Sequence, residues 1–382
     1  MKDKRMILKW LTGLIGLILF AAALVFANGG NFGADPDEES FLHFERARVM
    51  AILEDNSFFE EETWVRLGFM ILEVEVLSGD HEGEIIPVHR HFGGHGFEVF
   101  LPGDTVLVRY LTDDGSILHG EALTPERSHF MIGFVAVFII VLALVGGKQG
   151  IMSVLGLGFT LVSIFFLLYP LMLRGWAAIP TTIAILTLVT VVTLIMLGGY
   201  TRKTYVAIIG CMVGVLSAAL LAEAAGRLVH LGGYHTEDVG SLIWIAAENG
   251  FSVDVSGLFI SGVLIASLGA VMDTSMSIAS SMEEIRLANP NITGTALFKS
   301  GLNIGRDAMG TMSNTLILAF AGTSINLALM IYAHNMPFLQ VINHNMIGIE
   351  LIRSVAGSLG IILTVPAAAF IGSRNLFSKK AT

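Results

Sequence analysis

The chain has 382 residues, 54% hydrophobic and only 14% charged. A soluble protein of this size carries about 25% charged residues, so the composition excludes an ordinary soluble fold and points to an integral membrane protein. The net charge of −10 is unevenly held: residues 30–128 contain 21 acids and 6 arginines, and the remainder 11 acids and 16 bases. Such an acidic module on a mildly basic apolar part argues against nucleic-acid binding, which needs clustered Lys and Arg.

Residues 1–29 open the chain with KDKRMILKW and an apolar run at roughly 7–27. About 20 apolar residues are enough to cross a hydrocarbon core about 30 Å thick, so this reads as a transmembrane anchor. The same stretch, ending in Val25-Phe26-Ala27, also reads as a signal peptide; its removal would leave seven spans in the same orientation.

Residues 30–128 form the acidic module. Val65, Leu67, Val74 and Val76 alternate with polar neighbours, as a half-buried strand does. Further strands are expected at 46–53, 84–90, 97–101, 105–110 and 116–121. Pro102-Gly103-Asp104 and Asp113-Asp114-Gly115 are turn signals between them. Short strands at this spacing predict a small closed β-barrel of the OB type. Six of the 11 histidines lie here. His89 and His91 share one face of a strand and His95 follows a Gly-Gly turn, which makes these three candidate Zn²⁺ or Cu²⁺ ligands or else a solvated His-rich loop. The FFEEETW segment before Val65 reads as a solvated loop.

Residues 129–374 carry the remaining spans, at roughly 130–147, 151–173, 177–199, 204–225, 255–278, 311–333 and 346–372, before a basic tail at 375–382. Positive charge in short loops sets orientation. Lys2, Lys4, Arg5, Lys148, Arg202, Lys203, Arg286, Lys299, Arg306, Arg374, Lys379 and Lys380 all fall on one side of eight alternating spans. The expected protein is therefore an α-helical polytopic membrane protein. Both termini are then cytoplasmic, and the β domain is extracytoplasmic, inserted between spans one and two. The single Cys211 lies in an apolar run and excludes a disulfide within one chain.

One carboxylate stands out. Asp273 interrupts an otherwise charge-free stretch from Val255 to Met282, about 8 Å from its centre. An ionised group at that depth costs roughly 2.5–3.5 kcal/mol and is a functional candidate by default. Thr274 extends the patch, and Arg306, Asp307 and Asn314 join it from a cytoplasmic hairpin that turns at Asn289-Pro290-Asn291 and leads into span seven. Arg306 is the nearest basic candidate partner for Asp273. Glu223, Asp254, Glu350 and Arg353 form a second cluster toward the outer face, with Glu350 and Arg353 spaced to pair on one helix face. Together they are candidates for an ion-coupling or substrate pathway. A structural reading competes, in which buried ion pairs fix helix register and the acids near the interface snorkel. Between spans five and six, EDVGSLIWIAAENG places Val239, Leu242, Ile243 and Ala246 on one side, as an interfacial helix anchored by Trp244 would, or else a plain loop.

No GxxxxGK[ST] phosphate loop, GxSxG elbow or HExxH pair occurs. No enzyme activity and no cofactor are expected. Of the 42 glycines, those in the apolar runs read as helix packing.

The segments SLGAVMDTSMSIASSMEEI at 267–285, GRDAMGTMSNTLILAFAG at 305–322, IELIRSVAGSLGIILTVP at 349–366 and GDTVLV at 103–108 resemble the YibE/F-like bacterial membrane proteins, across nearly the whole chain. The resemblance implies a multi-pass membrane protein of a kind often presumed to be a transporter. The Gly269-x-x-x-Asp273-Thr274 stretch with Glu283-Glu284-x-Arg286 more faintly resembles SecD and SecF, proton-driven subunits of the resistance–nodulation–division superfamily. Here the arginine follows the glutamates, and the large periplasmic domains of that superfamily are absent. The expected function is ion-coupled secondary transport or export with Asp273 as the coupling acid. The alternatives are a scaffold whose β domain binds a cell-envelope partner, and an intramembrane enzyme. The expected partners are the bilayer, an unidentified small solute or ion, and further copies of the chain.

Overall fold

The computed structural model describes residues 20–29, 42–62, 64–93, 98–113, 116–232, 237–248 and 250–375. The chain divides into two compact units, one within Gly33–Leu142 and the other formed by Met1–Phe32 with Ala143–Thr382.

The first unit is built on six strands: β1 (Leu42–Asp55), β2 (Phe58–Glu60), β3 (Val65–Val76), β4 (Ile85–Phe92), β5 (Thr105–Asp113) and β6 (Ser116–Pro125). Their order is β1-β5-β6-β4-β3-β2, and β1 also pairs with β3, so five strands close on themselves and β2 extends one edge of β3. Closure is possible because β1 serves two neighbours: Ala47 opposes both Val76 and Val106. Irregularities in β1 at Val49/Ala51 and Ile52/Glu54 bend it around the barrel. Alternation then fills the interior. In β4 the even residues Ile86, Val88, Arg90 and Phe92 are buried while Ile85, Pro87 and His91 face out. Gly103, at φ +99°, makes the turn expected of Pro102-Gly103-Asp104, where the Asp104 carboxylate accepts from the Leu101 N–H at 2.8 Å. Residues 98–100 are irregular, which corrects the strand expected at 97–101. They lead into this turn, and Phe100 serves instead as a buried plug.

The buried charged residue of the barrel, among those described, is Arg90, 4% exposed. Its guanidinium donates to the carbonyls of Ala122 (3.2 Å) and Leu123 and to Glu98 (3.2 Å), and lies 4.7 Å from the Phe100 ring. Glu98 in turn accepts from Arg127 at 2.7 Å. That bond, with the nearby Arg90 charge, holds the Glu98 carboxyl below the usual carboxylate range.

The second unit is helical. α1 (Ser128–Ser163) begins in the first unit and is interrupted at Gly147, whose φ and ψ of 54° and −133° are not helical. One π turn (Ile164–Leu168) joins it to α2 (Tyr169–Leu173). Then follow α3 (Ala178–Gly198), α4 (Arg202–Leu228), α5 (Glu237–Glu248), α6 (Val255–Ala288), α7 (Gly294–Thr323), α8 (Ile325–Ala333), α9 (Phe338–Ile342) and α10 (Asn345–Asn375). Side chains define several starts. Thr201, Asp254 and Thr293 cap α4, α6 and α7 by accepting the N–H three residues on.

Among the described residues five helical stretches are long and apolar enough to cross a membrane, or six if α7 and α8, bent by 61° at their junction, count as one. This is fewer than the eight spans expected. The first lies mostly outside the described residues, and 128–173 counts as one helical stretch of 46 residues, interrupted at Gly147. The first arm of the expected cytoplasmic hairpin is the last part of α6, which runs unbroken for 34 residues.

α10 is the hub, packed against α4, α6 and α7. Small residues allow it. A Cβ at Gly360 would lie 2.9 Å from Ala218 Cβ and 3.0 Å from the Gly214 carbonyl. Buried hydroxyls join helices elsewhere: Thr182 to Ser261 at 2.7 Å, and Ser275 to the Ala207 carbonyl at 2.6 Å. In the stretch expected at an interface, α5 is a helix, with Ala246 buried and Trp244 exposed.

Candidate functional site

α6 places Asp273. Its capped start at Asp254 and its packing fix the helix rotation, with Ser267, Val271, Thr274, Ser275 and Ile278 on the buried side. The opposite face carries Ala266, Gly269, Asp273 and Ser277, all exposed. A Cβ at Gly262 or Gly269 would meet nothing within 4 Å. Asp273 therefore stands on an open stripe of small residues, and its carboxylate makes no hydrogen bond or ion pair among the described residues. Thr274, grouped with it in the sequence, points the other way. It is buried and donates to the Ala270 carbonyl at 2.8 Å.

The expected inner cluster is not assembled around Asp273. α7 packs antiparallel on α6, with Gly301 against Met282, Gly305 against Ile278, and Leu316 and Ser267 meeting at Gly357. In that register Asp273 lies level with Gly310, Arg306 and Asp307 one turn to one side and Asn314 one turn to the other. Yet Arg306 donates to Asn303 at 3.3 Å, not to Asp273, and Arg306, Asp307 and Asn314 are all exposed. A 3.6-residue repeat turned these side chains outward, while sequence depth alone had suggested a meeting.

The second cluster resolves into separate local devices. Arg227 donates to Glu223 at 2.5 Å along α4. Asp254 is the cap of α6, accepting from Gly257 N–H at 2.9 Å, and lines a largely apolar cavity of about 310 Å³ with Tyr169, Trp176 and Leu242. Arg353 donates to Glu350 at 2.8 Å, as their spacing predicted, and lies 5.9 Å from the Phe259 and Phe320 rings. Glu350 Oε2 and Arg353 Nε are buried without a hydrogen-bond partner among the described residues.

Sequence reasoning missed a polar hollow near this pair. Gln340, Asn343, His344 and Asn345 line a cavity of about 480 Å³, and the last three also line one of about 260 Å³ with Val229, Leu231 and Gly348. The signal was present as QVINHN, a run of amides between two apolar helices.

On the barrel, His89 and His91 stand side by side as expected, their rings stacked at 6.0 Å and 11° beside Phe69. Parallel stacking does not converge two ring nitrogens on one point. Among the described residues no three His, Cys, Asp or Glu side chains are placed to hold a metal, and His95 lies outside them. A second aromatic group sits elsewhere: His43 stacks on Tyr110 at 5.3 Å and His81 meets it edge-on at 5.6 Å. Burial, with Glu45, Asp80 and Glu84 nearby, raises the Tyr110 hydroxyl above the usual phenol value.

Comparison with curated proteins and with solved structures finds no match. The likeness to SecD and SecF is not confirmed. The model of the YibE/F-like proteins matches residues 134–377, well over half of the chain and the whole run from α1 to α10 beyond Gly133, and the chain belongs to the YibE/F-like family.

Proposed function

We propose that this protein is an ion-coupled secondary transporter or exporter of the bacterial cytoplasmic membrane, with Asp273 as its coupling acid and no catalytic activity. The observation that carries the reading is the unpartnered carboxylate on the open face of α6, the one charged side chain between Val255 and Met282. A group at that depth is costly to keep and marks ion pathways in membrane helices. The Glu350–Arg353 pair beside the amide-lined hollow supplies polar groups at the other end of the bundle.

In this reading the chain crosses eight times, both termini are cytoplasmic and the barrel is extracytoplasmic. A straight 46-residue helix would be about 69 Å long, twice a bilayer core, so the break at Gly147 is read as the turn between two crossings. The bent α7–α8 pair is read as one crossing. The barrel is read as OB-type: its five strands close in the order first, second, third, fifth, fourth, with the third and fifth parallel.

The test is proton flux. Full-length protein in vesicles loaded with a pH dye should carry protons down an imposed pH gradient. Asp273→Asn should lower that flux at least about tenfold, as loss of a relay acid does, while Asp273→Glu keeps a measurable part. Equal flux from Asp273→Asn and wild type, or a wild type no better than protein-free vesicles, would sink proton coupling.

A scaffold role is the second reading. It is favoured by the exposed side chains of Phe58, Phe59 and Trp64 on the β2–β3 hairpin, Trp64 at 80%. Exposed aromatic clusters of this kind mark partner surfaces.

A further inference from the structure

α7 buries only Leu297, Gly301, Gly305 and Leu316 of its 30 residues. Opposite them, Asn303, Arg306, Asp307, Gly310 and Asn314 fall within an arc of about 100° and are all exposed. The packing of Gly305 on Ile278 and of Leu316 near Ser267 sets Gly310 level with Asp273 and Asn314 level with Gly269, in the stretch of α6 that carries no other charge. Acyl chains offer no hydrogen bonds, so the Asn314 amide inside the span favours protein against it, and the charges of Arg306 and Asp307 just cytoplasmic of the span continue the same face.

We propose that a second copy of this chain covers this face, the two α7 helices meeting about a two-fold axis along the membrane normal. Charge selects the occupant. Such an axis keeps every residue at its own depth, so only groups of equal height can meet, and the same patch must complement itself. Arg306 and Asp307 are consecutive, about 1.5 Å apart along the helix, so each can reach the other on the opposite copy. Within one chain the Arg306 bond recorded is to Asn303, and the Asp307 carboxylate has no partner among the described residues. Gly310, where a Cβ would meet nothing within 4 Å, allows the backbones to approach between this charge pair and an Asn314 amide pair. The apolar stretch of α1 is no substitute, because Phe130 to Gly147 contains no charged or amide side chain.

The single buried Cys211 makes the test clean. In full-length Cys211→Ala protein in native membranes, Asn314→Cys should form a disulfide-linked dimer on mild oxidation. Leu220→Cys, 71% exposed on α4, should not. Adding Arg306→Asp to Asn314→Cys sets four acids together and should lower the dimer about tenfold, and the further Asp307→Arg should restore it. The restored pair guards against a variant that merely misfolds. Dimer no greater from Asn314→Cys than from Leu220→Cys, or unchanged by Arg306→Asp, would overturn the proposal. So would a crosslink from Asn314→Cys to a cysteine placed at Lys4 of the same chain.

Discussion

Replacing Gly214 by leucine is expected to abolish assembly of the helical unit. A Cβ at this position would lie 1.9 Å from Thr364 Oγ1, 2.8 Å from Val271 Cγ1 and 2.9 Å from the Gly360 carbonyl oxygen. The threonine could rotate; the carbonyl belongs to α10 and cannot move alone. Three helices meet at that point, so relief requires moving α10 off both α4 and α6. Overpacking a tight core costs about 1–3 kcal/mol, and leucine at a backbone–backbone contact belongs at or beyond the upper end. Against a total stability of about 5–15 kcal/mol, that removes a large part of the margin. Gly214→Ala should cost less, because it adds only the Cβ. Gly262→Leu is the control, since a Cβ there meets nothing within 4 Å. Thermal unfolding of detergent-purified protein separates them: Gly214→Leu should yield no cooperative transition and Gly262→Leu a near-normal one. A wild-type-like transition for Gly214→Leu would show that the crossing is looser than the structure has it.

The second large effect is in the barrel, at Arg90. Arg90→Ala removes the donors that satisfy the Ala122 and Leu123 carbonyls and empties the space beside Phe100. Unsatisfied buried acceptors cost about 1–3 kcal/mol each, and the void adds to this, so a loss of about 3 kcal/mol is expected. The ion pair itself contributes little, because Glu98 is 42% exposed and can return to water. The variants therefore rank in a specific way. Arg90→Ala should raise native-state hydrogen exchange of β4 and β6 in the full-length protein by roughly 100-fold, and Glu98→Gln by less than about tenfold. Equal effects would mean that the salt bridge, not the buried guanidinium, holds this end of the barrel.

Much of the barrel was legible in the sequence because alternation is a direct imprint of the pleat. Val74 and Val76 read as inward positions and are inward. The 98–100 stretch was misread because a short apolar run beside a Pro-Gly turn has the composition of a strand without a partner to pair with. In the helical unit hydropathy fixed which residues are apolar but not rotation or breaks. The Gly147 interruption and the bend near Ser324 lack any proline, and glycine or serine in an apolar run also occurs in straight helices. Asp273 was found by charge alone. Its outward direction follows from burial of the opposite side of α6, which carries Ser267, Thr274 and Ser275, and that burial is settled by α4, α7 and α10. Glu350 and Arg353 were legible as a pair because i, i+3 contacts are local. Arg306 and Asp273, 33 positions apart, had no such guide.

A hydrophobic carbodiimide tests the role of Asp273 most directly. It reacts with carboxyl groups reachable from an apolar phase and converts them to neutral N-acylureas. Applied to the wild-type protein in proton-conducting vesicles, it should label Asp273 ahead of Glu223, Asp254 and Glu350, as read by peptide mass spectrometry, and proton flux should fall in proportion to that label. Full flux with Asp273 completely labelled would contradict its role as the coupling acid.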